Sequence, residues 1–232
     1  MMPGFFFHPA DLLMIPAIIF SLWAQWAVKS AYAKYSQIGT RSGMTGARAA
    51  QAIMDSAGVQ NVDIGVVPGE MTDHYDPTKK VVNLSEGVYG GDSIAAVGIA
   101  AHEVGHAIQD AHHYAPMKLR HLIYPVSSIG STLSFPLIFI GLIFNGSGAG
   151  WLLHLGIYLF AAAVAFTIVT LPVEFNASNR AVQALAKGGY LTTDELNGVR
   201  KVLRAAALTY VAAAAAAVLQ LLRILIIARG RD

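Results

Sequence analysis

The chain has 232 residues, 55% of them hydrophobic and only 13% charged, with a mean hydropathy of +0.51. Soluble domains carry about 25% charged residues, so this composition excludes a disordered chain, a basic nucleic-acid binder and an ordinary soluble enzyme. A formal charge of +2 gives no strong affinity for polyanions, and the absence of cysteine removes disulfides, thiol nucleophiles and thiolate metal sites.

Four stretches are long and apolar enough to test as membrane spans, which need about 20 residues. The first covers residues 12–28; Pro16 is tolerable in a membrane helix, Trp23 and Trp26 suit the interface, and Lys29 ends it. It lacks the basic leader of a signal peptide, so it is predicted to be an uncleaved anchor. The polar segment 30–121 follows. Thr45 is placed to cap a helix over 46–57 that Gly58 stops. Residues 62–67 and 81–84 have strand character, separated by turn signals at Pro68-Gly69 and Asp76-Pro77. Gly90-Gly91-Asp92-Ser93 then opens a helix running to about residue 111. Residues 122–144 and 151–171 are the second and third apolar stretches, joined by Asn145-Gly-Ser-Gly-Ala-Gly150, and they read as a transmembrane hairpin. A second polar segment, 172–204, precedes the Ala-rich stretch 205–228. That stretch contains Arg223 and reads either as a fourth span or as a buried soluble helix.

Thirteen of the sixteen Lys and Arg fall in the two polar segments, counting Lys29 at the border of the first. By the positive-inside rule both segments are predicted to be cytoplasmic, and a hairpin that crosses twice returns the chain to the same side. The basic tail from Arg229 disagrees mildly, because four spans put it outside.

Chemistry concentrates in His102-Glu103-Val104-Gly105-His106. Two histidines four apart share one helical face, about 6 Å apart along the axis, so both imidazoles can reach one metal. Glu103 lies about 100° around the helix, placed to act as base toward a water at that metal. The bland alternative is two structural histidines on an amphipathic helix. Small residues around the motif (Ala100, Ala101, Gly105, Ala107) let other elements approach closely. A catalytic zinc takes three protein ligands and one open position. His112 has tempting spacing, but if the helix continues it lies about 15 Å further along the axis, and His113 fails likewise. Glu174 is the candidate third ligand. It is the first acid after the hairpin, opening a helical pattern near Pro172, although an acid there is also favoured simply by the helix dipole.

The motifs Asp73-His74-Tyr75-Asp76-Pro77, Ile99-Ala-Ala-His102-Glu-Val-Gly-His106-Ala-Ile-Gln109, Leu171-Pro-Val-Glu174-Phe-Asn-Ala-Ser178 and Ala205-Ala-Ala-Leu-Thr-Tyr210-Val-Ala together make the chain resemble the YugP-like neutral zinc metallopeptidases of bacterial membranes. The layout is also similar to HtpX-type and CAAX prenyl proteases. The resemblance implies a gluzincin-type site with His102, His106 and Glu174 as zinc ligands and Glu103 as base. Asn176 and Asn179 depart from the Asp and Arg expected of the family; Ser178 agrees with it.

The expected architecture is a mainly α membrane protein: about four transmembrane helices with a small α/β zincin-like cytoplasmic domain assembled from two polar segments. Its parts are an anchor at 1–29, the H-E-x-x-H segment at 30–121, the hairpin at 122–171, the second half of the zinc site at 172–204 and a membrane helix at 205–232. The expected function is a membrane-bound, Zn²⁺-dependent endopeptidase of the bacterial plasma membrane. Its partners are a peptide or protein substrate and the lipid bilayer, not nucleic acid. Arg180, His74 and Tyr75 are candidates to stabilise the oxyanion, and Ser178, Asn176 and Asn179 to orient the ligating histidines. Residues 81–84 are a candidate sheet edge for pairing with substrate. The competing class is a non-catalytic membrane zinc protein, a scaffold or chaperone partner, or a transporter subunit for which His154 and Arg223 are the intramembrane groups.

Overall fold

The computed structural model describes residues 8–144, 148 and 150–229. Most of the turn expected at 145–150 lies outside them, as do the first seven residues and Arg231. After a short 3₁₀ turn at Pro9–Leu13 come α1 (Met14–Tyr35), α2 (Gly46–Ala57), β1 (Asp63–Val67), β2 (His74–Asp76), β3 (Val81–Ser85), α3 (Glu86–Tyr89), α4 (Ile94–Ala111), α5 (Ala115–Ile143), α6 (Trp151–Lys187) and α7 (Thr193–Arg229). The described chain is mainly helical. Four segments, Pro9–Tyr35, Ala115–Ile143, Trp151–Lys187 and Thr193–Arg229, are long and apolar enough to cross a membrane.

The chain divides into two compact units, and each of the four long helices contributes residues to both. One unit takes residues 1–23, 119–171 and 210–232. Its helices carry apolar side chains outward, with Leu122, Phe139 and Tyr158 exposed, a surface suited to lipid rather than water. Its interior cluster is small: Ile138, Leu153, Phe160, Val164 and Ile224. Close packing comes from small residues instead. A Cβ at Gly130 would stand 2.6 Å from the Leu159 carbonyl oxygen, and one at Gly156 would stand 2.8 Å from that of Ser134. This is how membrane helices associate where burial of oil against oil drives little. Arg223 and Asp11 form an ion pair. The lone intramembrane arginine considered for transport is therefore neutralised at short range, while His154 stands exposed in the first turn of α6.

The other unit takes residues 24–118 and 172–209. Thr45 accepts from the Arg48 N–H to start α2, and Gly58 ends it at φ 66°, a left-handed cap that glycine adopts without strain. The sheet has the order β1-β3-β2, with β3 parallel to β1 and antiparallel to β2. Two expectations are corrected here. The three residues of β2 form a strand that their short, polar sequence did not announce. And β3, read as an open edge for substrate, is the central strand with both sides paired; its buried Val82 and Leu84 put it in the core. The Asp73–Pro77 motif is what holds β2. Asp73 accepts from the Ser85 N–H, Tyr75 donates to Asp110, and Asp76 accepts from Thr78 and Lys79 N–H groups, which hold its carboxyl below the usual range.

Candidate metal centre

Helix α4 begins where Ser93 accepts from the Ala96 N–H, and fourteen of its eighteen residues are buried. Its small residues set the spacing. A Cβ at Gly105 would lie 2.5 Å from the Ala177 carbonyl oxygen of α6, and one at Gly98 would lie 3.2 Å from Val199 of α7. Both helices therefore press directly on the one that carries H-E-x-x-H.

Glu174 arrives on α6, but not at a helix start. Proline suits a first turn because it has no N–H to lose, which made Pro172 read as a boundary. In the structure Pro172 lies inside a continuous 37-residue helix. A membrane helix tolerates that loss. Glu174, Ala177 and Ala181 form its buried face.

The result is a three-donor cluster. One Glu174 oxygen lies 3.2 Å from His102 Nε2 and 3.6 Å from His106 Nε2, and all three donor atoms fall within 4.8 Å of one another. The two rings meet edge to face, 4.8 Å between centroids at 80°. A tetrahedral zinc with ligand bonds of about 2.0–2.1 Å needs ligand–ligand edges of about 3.3 Å. Two imidazoles and one carboxylate at these separations fit it in both chemistry and span.

The outer nitrogens of both rings are engaged. His102 Nδ1 lies 3.1 Å from Ser178 Oγ, and His106 Nδ1 lies 3.0 Å from Gln109 Oε1. Gln109 is fully buried, and its amide nitrogen donates to the Val173 carbonyl at 2.7 Å and to Asn176 Oδ1 at 3.1 Å. A carbonyl can only accept, so the Gln109 amide N–H₂ must face Val173 and its oxygen must face His106. His106 therefore carries its proton on Nδ1 and presents a bare Nε2 to the centre. Gln109 was quoted in the sequence only as the residue where another family has a helix-ending glycine. Its i, i+3 spacing from His106 on one helix was the local signal that could have marked it as that ring's partner. Burial opposes charge on His106, but the nearby Glu174 and Glu103 carboxylates and the Gln109 bond leave its pKa raised.

The remaining candidates fall as follows. Glu103 is buried on α4, next in sequence to His102. Asn176 Oδ1 accepts from Arg180 Nε at 2.7 Å as well as from Gln109. Arg180 also reaches His112 Nδ1 at 3.3 Å and lies over the Tyr114 ring. His112 caps the end of α4 and is outside the donor cluster; the helix stops there instead of continuing. His74 is exposed on β2, its ring nitrogens 2.8 Å from the Thr72 carbonyl oxygen and 3.1 Å from Asn83 Nδ2. Tyr75 gives its hydroxyl proton to Asp110, and burial together with that carboxylate pushes its pKa up. Asp110 also pairs with Lys80, and Asp92 lines a separate cavity with Glu70 and Tyr32. Neither belongs to the cluster. Asn179 lines a groove between α6 and α7.

Four membrane-length helices mark an integral membrane protein, and its buried His-His-Glu cluster could hold a metal ion. Residues 10–229 match the family described as "Putative neutral zinc metallopeptidase", and the chain belongs to that family. Its cofactor is Zn²⁺. The chain is also 51% identical over 221 residues to the "Putative membrane protease YugP" of Bacillus subtilis (strain 168), covering 95% of this chain and 97% of that protein. No solved structure matches.

Proposed function

We propose that the chain is a membrane-bound zinc endopeptidase with a gluzincin-type site, and that His102, His106 and Glu174 are its zinc ligands. The observation that carries this reading is the convergence of those three donors from α4 and α6, with a buried Glu103 on the helix of the two histidines. Zinc held there supplies a Lewis acid that acidifies a bound water and polarises a peptide carbonyl. Glu103 takes the proton of the attacking water and passes it to the leaving amine. Gln109 holds the His106 imidazole in the ligating tautomer, and Ser178 orients the ring of His102 through its outer nitrogen. Arg180 acts as a positioning residue, anchoring Asn176 and through it Gln109. His74 belongs to the sheet. The reading is tested by incubating zinc-loaded protein in detergent micelles with quenched fluorescent peptides. Cleavage that a chelator abolishes and added zinc restores is expected; no cleavage under any loading overturns it.

Glu174→Gln is expected to weaken zinc binding at least 10–100-fold, since even partners of metal ligands cost about that much. Glu195→Gln provides the contrast. Glu195 is committed to the start of α7, where it bonds Thr192 and the Arg41 N–H, and its substitution should leave zinc affinity unchanged. A competitive zinc titration measures both; equal affinities would remove Glu174 from the ligand set.

The proposed location of the site is the cytoplasmic face of the bacterial plasma membrane, on an α/β domain assembled from both polar segments. Its support is the charge asymmetry, thirteen of the sixteen Lys and Arg. The chain has no cysteine, so Lys79→Cys introduces a single thiol. An impermeant maleimide added to intact cells is expected not to label it, and to label it once the membrane is permeabilised. Labelling of intact cells would invert the topology.

A further inference from the structure

Within the unit that carries the metal centre, a groove of about 560 Å³ lies between α6 and α7. Its walls come from two helical stripes. Phe175, Ser178 and Val182 project from α6, spaced three and four apart, and Leu203 and Arg204 of α7 lie three and four residues after Arg200, on one face with it. The size is that of a ligand site rather than a packing fault. Ser178 belongs to both places: it lines the groove, and its hydroxyl contacts His102 Nδ1 at 3.1 Å. The groove therefore opens at the edge of the metal centre. Whatever lies in it also lies beside Ser178, the contact of His102.

Its charge is one-sided. Among the described residues that line it none is acidic, while two arginines do so. Arg200 donates to Asn197, a neutral partner, at 2.9 Å. The rest of the wall combines apolar side chains with the uncharged Ser178, Asn179 and Gln183, and Phe175 is 44% exposed. Guanidinium forks bind carboxylates in a fixed planar geometry, and a half-open aromatic wall favours an apolar side chain.

We infer that this groove is the substrate specificity site and takes an apolar side chain of the bound peptide together with an acidic residue beside it. This rests on the endopeptidase reading and adds to it a substrate class, acidic-apolar peptide segments. Arg200 and Arg204 select the carboxylate. Phe175, Val182 and Leu203 take the apolar side chain.

The test uses the full-length, zinc-loaded Glu103→Gln protein in micelles, so that binding is read without turnover. Two fluorescein-labelled peptides of repeating sequence, Leu-Ala-Glu and Leu-Ala-Lys, present the residue pair in any register. Anisotropy is expected to show the Glu peptide binding about 10-fold more tightly. In the added Arg200→Glu/Arg204→Glu background the preference should invert, with zinc content unchanged. Lys201→Glu, an exposed charge reversal on the same helix outside the groove, should leave it intact. An unchanged preference in the double variant overturns the inference. So does displacement of the Glu peptide by nanodiscs of anionic but not zwitterionic lipid, which would make the occupant a headgroup. Parallel assays of Glu103-intact protein separate the two readings. Cleavage of both peptides at equal rates removes the specificity site and leaves the peptidase. Inverted binding without any cleavage keeps the site and removes the peptidase.

Discussion

Replacing Glu103 with Gln is expected to lower peptide hydrolysis by about 10²–10⁴-fold, the usual worth of a positioned general base, while one zinc per chain is retained. Glu103 projects from α4 about 100° away from the face shared by His102 and His106, and it is outside the three-donor cluster. The amide keeps its volume in a buried position but cannot accept a proton at neutral pH. The loss should therefore appear in kcat, with little change in the affinity for uncleaved peptide. Metal content by mass spectrometry and single-turnover cleavage measure the two halves independently. Wild-type cleavage by this variant would remove Glu103 as the base. Loss of zinc instead would make it a structural support of the centre.

The second large effect is expected at Gly105. A methyl group there would stand 2.5 Å from the Ala177 carbonyl oxygen and 3.1 Å from its Cα, and both contacts are backbone, so neither can swing aside. Helices α4 and α6 must separate to admit it. Overpacking of this kind costs about 1–3 kcal/mol, and here the displaced helix carries Glu174 one turn earlier. Gly105→Ala is therefore expected to lose both thermal stability and at least about 10-fold in zinc affinity. Gly87→Ala is the matched control. Nothing lies within 4 Å of a Cβ at Gly87, so that change should be neutral or slightly stabilising through reduced freedom of the unfolded chain. Melting curves with and without zinc distinguish the cases; a Gly105→Ala protein that melts and binds like wild type would contradict the packing.

Much of the centre was legible because its information is local. The i, i+4 spacing of His102 and His106 is a property of one helix, and so is the 100° offset of Glu103. Ser93 and Thr45 announced their helix starts by the same short-range logic, since a cap reaches only two or three residues along the chain. The four apolar stretches were legible because a bilayer selects for length and hydropathy alone. Glu174 was legible as a candidate from its position after a returning span.

What came only with the tertiary structure depends on contacts between distant residues. Pro172 sits inside α6 because the apolar helix runs through it, although by itself proline marks a boundary as readily as an interior. The central place of β3 is decided by which strands pair, and period-2 alternation in a four-residue stretch carries no strand order. Asp11 finds Arg223 across 212 residues, and Gln109 finds Val173 across 64, with nothing in either neighbourhood to foretell the partner. Ser178, Asn176 and Asn179 were equivalent candidates on the sequence; packing gave His102 to Ser178, joined Asn176 to the Gln109 network and turned Asn179 into the groove. By itself the sequence determined which polar groups stand on which helical faces, because helical periodicity is enforced residue by residue. The small residues around the motif announced that something approaches closely; that Ala177 meets Gly105 and Val199 meets Gly98 was decided by the folded packing, because the partners lie far along the chain.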